Sequence, residues 1–344
     1  MVLLVNGRRI RSRDLGGGFR YNADSFSVSE PAEIDYRGMD EQSQCVLFCA
    51  IPSEIRTLIF EYALAPHDNL AKPYAKDRMY CRPGQLYHPK TDIALLQTCK
   101  RIFQETRVLP VVLATHTFWL FGGPWRYMKT GLKGMTHFAA WQSSMSEEQR
   151  AAVDYVQIFA QQTFLESLGT QSNQGLESLT FAARTLRITL RHTDWWSWES
   201  PPASSDRLGI CPWERGRTSH QKMLSLPLEH TPETMRQLMC PGTWGWQVCQ
   251  VKNLQTLEME FEIDVRKKPQ LDAILERAWH WIFPMADGGG VLRQSGAVAH
   301  SSYEGFVRNK DDSTPVLSPT GGHHSPWTDR DFHVAVMTWK RTVG

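Results

Sequence analysis

Residues 254–264 read LQTLEMEFEID. In an extended chain, successive side chains point to opposite faces. Leu257, Met259, Phe261 and Ile263 therefore share one face, and Glu258, Glu260, Glu262 and Asp264 share the other. A strand in a parallel sheet covered by helices on both sides is apolar almost throughout. This strand has a fully charged side, so its sheet is expected to carry helices on one face and leave the other open to water. Residues 185–192, TLRITLRH, repeat the pattern, with Leu186, Ile188 and Leu190 set against Arg187, Thr189 and Arg191. If the two strands are neighbours, Arg187 and Arg191 face Glu258 or Glu260. Such cross-strand pairs contribute roughly 0.2–1 kcal/mol each.

Further strand candidates are 115–121 (THTFWLF), 153–160 (VDYVQIFA) and 332–341 (FHVAVMTWKR), with helical periodicity at 136–151, 161–168, 232–239 and 269–283. The class is α+β or α/β. Two architectures fit: an irregular leucine-rich-repeat-like layer, and an α+β domain with a half-covered sheet. No regular repeat period selects the first. Residues 193–231 and 309–331 read as irregular insertions, the second as a disordered one rich in Ser, Pro, Gly and Asp. Residues 1–43 read as poorly ordered, with a small hairpin suggested by the Asn-Gly turn in LLVNGRRI.

The 344 residues, 41% of them hydrophobic, suffice for a sizeable core and fit about two domains. A net charge of +2 draws the chain as a whole to neither nucleic acid nor an acidic membrane. No apolar run approaches the roughly 18 residues of a membrane span, and the apolar run in MVLLVNGRRIRSR is too short for a signal peptide. The seven Cys form no Cys-x-x-Cys pair. Reduced thiols in an intracellular protein, of cytoplasm or nucleus, are the expectation.

Residues 51–66, IPSEIRTLIFEYALAP, form a capped helix. Pro52 suits the first turn, Glu54 complements the helix dipole there, and Pro66 ends the helix. Ile55, Leu58, Ile59 and Tyr62 follow i, i+3, i+4, i+7 and make one apolar stripe. Residues 67–90 read as a long loop. A second helix follows from an N-cap at Asp92, with Leu95, Leu96, Cys99, Ile102, Phe103 and Thr106 as its stripe. The first stripe either packs on the second helix and on FWLF, or docks a partner as a helix in a groove.

These residues carry a resemblance. IPSEIRTLIFEYAL, then LLQTCKRIFQETRVLP, then THTFWLF resemble an F-box-like domain of uncharacterised proteins from filamentous fungi. Ile51, Pro52, Glu54, Ile55, Arg56, Ile59 and Phe60 match its first element. Leu95, Leu96, Cys99, Lys100, Ile102 and Glu105 match its second, and Thr117 and Phe118 its third. The likeness spans roughly residues 46–121, which gives an F-box-like module over 44–121 with the inserted loop 67–90, followed by an α/β domain over 122–344. It implies that the helices bearing Pro52, Ile55, Leu58, Ile59, Tyr62, Leu95, Leu96, Ile102 and Phe103 dock the adaptor Skp1, linking a substrate receptor to an SCF-type ubiquitin ligase.

Residues 192–202, HTDWWSWESPP, hold Trp195, Trp196 and Trp198. They read either as a loop packed over the sheet edge or as a partner hot spot. The loop AKPYAKDRMYCRPGQLYHPK interleaves Lys72, Lys76, Arg78, Arg82 and Lys90 with Tyr74, Tyr80 and Tyr87. No nucleic-acid fold accompanies it, so a solvated insertion is expected. Cys45 with Cys49, and His323 and His324 with His333, are too few for a structural zinc site. The Ser219-x-x-Lys222 pattern is too short to mark catalysis, and neither Gly-x-Ser-x-Gly nor His-Glu-x-x-His occurs. No catalytic, cofactor or metal residue is assigned. The expectation is a non-catalytic protein-interaction protein of unset oligomeric state. The rivals are a structural or binding protein without a Skp1 contact and an enzyme without a readable motif.

Overall fold

The computed structural model describes residues 36–75, 78, 80–120, 123, 141, 143–167, 183–308 and 327–342, together with strands β1 (Leu4–Val5) and β2 (Arg8–Arg9). Those two strands pair antiparallel, as the Asn-Gly dipeptide suggests. The Gly16, Gly17 and Gly18 run, His323 and His324, and residues 309–326 of the second expected insertion lie outside the described residues.

Four strands, β5 (His116–Trp119), β6 (Tyr155–Phe159), β7 (Thr185–Leu190) and β8 (Thr256–Asp264), lie side by side in chain order and parallel. The sheet is thus mixed α/β, because its other half is antiparallel. β12 (Trp327–Thr342) pairs with β8, then come β10 (Val291–Gln294) and β9 (Ile282–Pro284). β12 is long enough to hold two partners on its other side: β11 (Ala299–Arg308) pairs from Trp327 to Val336, and β10 from Trp339 to Thr342. The strand expected at 332–341 therefore begins earlier and takes in residues 327–331.

Parallel neighbours need crossovers. These carry α5 (Glu147–Ala151), α6 (Gln162–Ser167) and, between β7 and β8, α7 (His220–Ser225), α8 (Pro232–Leu238) and α9 (Trp244–Cys249). Ser146 and Gln149 form a reciprocal capping box that starts α5. α10 (Lys268–Ala278) follows β8 and buries Leu271, Ile274, Leu275 and Ala278, a helical stripe.

The apolar faces of the strands form the core as expected: Leu186, Ile188 and Leu190 of β7, and Leu257, Met259, Phe261 and Ile263 of β8, are all buried. Residues 193–231 belong to this core and do not merely interrupt it. Trp195, Leu208, Ile210, Cys211, Trp213 and Met223 are buried there. Gly245 lets the segment dock closely: its N–H donates to Pro212 O at 2.8 Å, and a Cβ on Gly245 would lie 2.5 Å from that oxygen.

The second face departs from expectation. Glu260 and Glu262 are 6% and 1% exposed, so this face is charged but not open. The cause lies in residues 67–90, which form a hairpin of β3 (His67–Pro73) and β4 (Tyr87–Lys90). Its tip sends Arg82 over β8, with Nη2 2.6 Å from Glu260 and 3.2 Å from Glu262. Trp119 stacks on Phe159 at 3.8 Å beside it, and Tyr80 packs edge-on against Trp119. The two strands of the hairpin are exposed, as expected of a solvated insertion, but its tip is a cover. Where this cover stops, Arg187 stands opposite Glu258 and bonds Glu258 and Glu260 at 2.7 and 3.2 Å. Arg191, one residue past the end of β7, turns instead onto Asp194 at 2.7 Å, both fully buried.

The helices before the sheet also differ in detail. α1 (Val46–Cys49) precedes α2 (Ser53–Leu64), whose N-cap is Pro52. The second expected helix splits into a 3-10 turn (Leu95–Gln97) and α3 (Lys100–Thr106), followed by α4 (Leu109–Val112). Cys99 caps α3 through its sulfur, while Asp92 Oδ1 accepts from Ala94 N ahead of the turn. β5, the last element before residue 122, is a strand of the large sheet, which thus runs across the expected module boundary. Among the described residues no helix is long and apolar enough to cross a membrane.

Candidate functional site

α2 turns Arg56, Phe60 and Leu64 inward, spaced four apart. Its stripe of Ile55, Leu58, Ile59 and Tyr62 points outward, at 49%, 59%, 42% and 89% exposure. The reason is Arg56. Its Nε and Nη2 donate to the two oxygens of Glu105 on α3, at 2.8 and 3.3 Å, and its Nη1 donates to Ile51 O. A fork-to-fork pair of this kind fixes orientation as well as adding energy. Together with the buried Phe60 and Leu64 it fixes which side of α2 faces in, and leaves Ile55, Leu58, Ile59 and Tyr62 on the water side. Of the other residues placed with this surface, Leu96 and Ile102 are buried, Leu95 and Phe103 are half-buried, and Pro52 is exposed. Leu96 and Ile102 therefore present no surface.

The three tryptophans do not form one surface. Trp195 is buried in the core, and its Nε1 donates to Glu262 O at 3.0 Å. Trp198 is half-buried. Trp196 is 40% exposed, with its N–H tied to Glu166 and the Arg217 guanidinium 5.4 Å above its ring. Adjacent residues cannot all face one core, so the segment distributes them between inside and outside.

A second region was not legible as a site. β7 and β8 both end, at Leu190 and Asp264, beside a cavity of about 170 Å³. Ligands of open α/β sheets bind outside the carboxyl ends of parallel strands, and here the sheet also changes from parallel to antiparallel at β8. Behind the cavity runs a charged chain. Arg82 contacts Glu262, and Glu262 Oε1 accepts from His192 N at 3.2 Å and lies 3.0 Å from His192 Nδ1. Burial alone would raise the Glu262 carboxyl. The Arg82 charge and the hydrogen bonds from His192 and Tyr303 outweigh it and hold the group at about 2. With Nδ1 engaged by the carboxylate, Nε2 is the His192 nitrogen left for the cavity that this ring lines.

Lys267 lines the same cavity. Its Nζ donates to Ser197 O and Trp198 O at 2.6 and 2.8 Å, and burial lowers it to about 8. These bonds attach the tryptophan loop to the end of β8. Arg266 is held by Asp264 through Nε and Nη2. The signals for this site sit in three separate segments at strand ends, with no local spacing to join them. Among the described residues no group of three or more His, Cys, Asp or Glu is placed to hold a metal ion. All seven cysteines are free thiols. Compared with known proteins, the chain matches no family model, no curated protein and no solved structure.

Proposed function

We propose that this chain is a non-catalytic protein-interaction protein that docks a partner helix or groove through the outward face of α2. The observation that carries the reading is the exposure of Ile55, Leu58, Ile59 and Tyr62 on one helix whose inward face is already satisfied by Arg56, Phe60 and Leu64. Single exposed apolar residues are ordinary, but four at helical spacing make a stripe of the kind that helix-in-groove partners use. The F-box-like resemblance of the same residues supplies the specific candidate, the adaptor Skp1. On that reading the remainder of the chain is a substrate receptor of an SCF-type ligase.

The test is co-purification of the full chain with Skp1, repeated with Ile55→Asp and Leu58→Asp. The expected result is capture by the wild type and loss in both variants with the melting temperature retained. Failure of the folded wild type to capture Skp1 ends the adaptor reading. Capture that persists in both variants removes α2 as the docking face.

A further inference from the structure

The cavity at the ends of β7 and β8 is a built site with no role in the docking reading. One part of its wall is apolar and aromatic, with Trp195, Trp198, Leu208 and Ile263, and the His192 ring meets Trp198 edge-on at 6.5 Å; the rest is charged. A dry cavity of ~150 Å³ accepts a benzene ring, so about 170 Å³ accommodates one ring-sized body. The polar groups around it are mostly donors. Arg266 is committed to Asp264. Lys267 spends two of its three N–H groups on carbonyls, which are neutral, so its charge is not cancelled there. Arg330, at the cavity edge on β12, has no hydrogen-bonded partner among the described residues; its influence reaches Asp264 only through space. Three fixed cations, Arg266, Lys267 and Arg330, stand against two carboxylates, Glu199 and Asp264. Among these five groups one positive charge is left over.

We propose that this cavity binds a small monocarboxylic acid with a flat apolar body. The ring lies against Trp195 and Trp198, and the carboxylate meets Arg330 and the remaining Lys267 N–H. A single excess positive charge suits a monoanion. A phosphate dianion would meet the Glu199 and Asp264 carboxylates with a charge to spare, and it brings nothing to the indole walls. The buried Arg82–Glu262–His192 chain has a positioning part: it fixes the imidazole and presents Nε2 as a further polar contact. This inference does not depend on the docking role of α2.

The experiment is titration of the full chain by calorimetry and tryptophan fluorescence with benzoate, with the neutral isostere benzamide, and with inorganic phosphate. Benzoate is expected to saturate and to perturb tryptophan emission. Benzamide is expected to bind at least about tenfold more weakly, as a charge-assisted hydrogen bond is worth about 1.5–3 kcal/mol. Arg330→Leu, a change at a partly exposed strand position, is expected to weaken benzoate by about tenfold without lowering the melting temperature. Ile55→Asp is expected to leave benzoate binding unchanged, which separates this site from the docking face. Equal binding of benzamide and benzoate, tighter binding of phosphate, or no saturable benzoate signal from the folded protein would overturn the proposal. So would an unaltered Arg330→Leu titration.

Discussion

Arg82 shows how a single residue decides the character of a sheet face. Its guanidinium is buried between the Phe159 ring and the carboxylates of Glu260 and Glu262. Nε and Nη1 have no hydrogen-bond acceptor, and the close contacts to the carboxylates are not aligned hydrogen bonds. Charge attraction in a poorly solvated place therefore does most of the holding, opposed by the cost of desolvation. Arg82→Met should destabilise the protein by about 3 kcal/mol in urea unfolding, because it leaves the buried Glu262 with only His192 and Tyr303, and Glu260 with only Arg187. Adding Glu260→Gln and Glu262→Gln should recover much of that loss; no recovery would mean that Arg82 acts by packing alone.

A pH effect belongs to the same residues. Glu262 is held at about 2 in the folded chain, below its ordinary value of 4.5. A depressed carboxyl gives stability that is present above the unfolded value and lost as pH falls through the folded one. Unfolding free energy should therefore decline between pH 4.5 and about 2 in the wild type. In Glu262→Gln this component of the decline should be missing. Parallel wild-type and variant curves across that window would refute the assignment.

At the scale of elements, α2 carries a division that its sequence only half discloses. The stripe of Ile55, Leu58, Ile59 and Tyr62 is legible as one face. Which way it points is not, because the inward face combines Phe60 and Leu64 with a polar pair, Arg56 and Glu105, between residues far apart in sequence. The structure predicts opposite responses on the two sides. Ile55→Asp with Leu58→Asp should change stability by no more than about 0.5 kcal/mol per site. Phe60→Ala, at 2% exposure, should cost about 3–5 kcal/mol. Denaturant midpoints of the three variants test this, and a large loss in the Asp variants would mean that the stripe is core after all.

β7 and β8 were readable, including the opposition of Arg187 and Glu258, because period-two alternation is a local property. β9 and β10 are too short to show any period, and β11, AHSSYEGFVR, is mainly polar and lies off the main strand path. The cover of Glu260 and Glu262 could not be read either. The basic and tyrosine-rich composition of residues 72–90 describes a solvated loop equally well; only the hairpin's direction brings Arg82 to the sheet. The cavity depends on His192, Lys267 and Arg330 meeting from three segments, which only the closed sheet brings about.

For the whole molecule, the decisive feature is that the sheet does not stop where the helical module was expected to. β5 pairs with β6 along its length, from His116 with Val156 to Trp119 with Phe159. Trp119 and Phe159 stack in parallel planes, and both rings flank the buried Arg191. Farther upstream, Arg82 lies against Glu260 and Glu262 of β8. Cutting the chain between residues 121 and 122 would therefore do three things at once. It would leave β6 as an unpaired edge, strip one aromatic ring from Phe159 and Arg191, and remove Arg82 from Glu260 and Glu262. Unpaired edges invite association with other chains, and buried charges without partners are among the costliest single defects. A fragment of residues 122–344 should consequently lack a cooperative urea transition and should self-associate, whereas the full chain should unfold cooperatively. The matching measurement is sedimentation and tryptophan-detected unfolding of both chains at equal concentration. A monomeric fragment with a sharp transition near that of the full chain would show that the sheet closes without β5 and Arg82, and that the first 121 residues are an appendage to it.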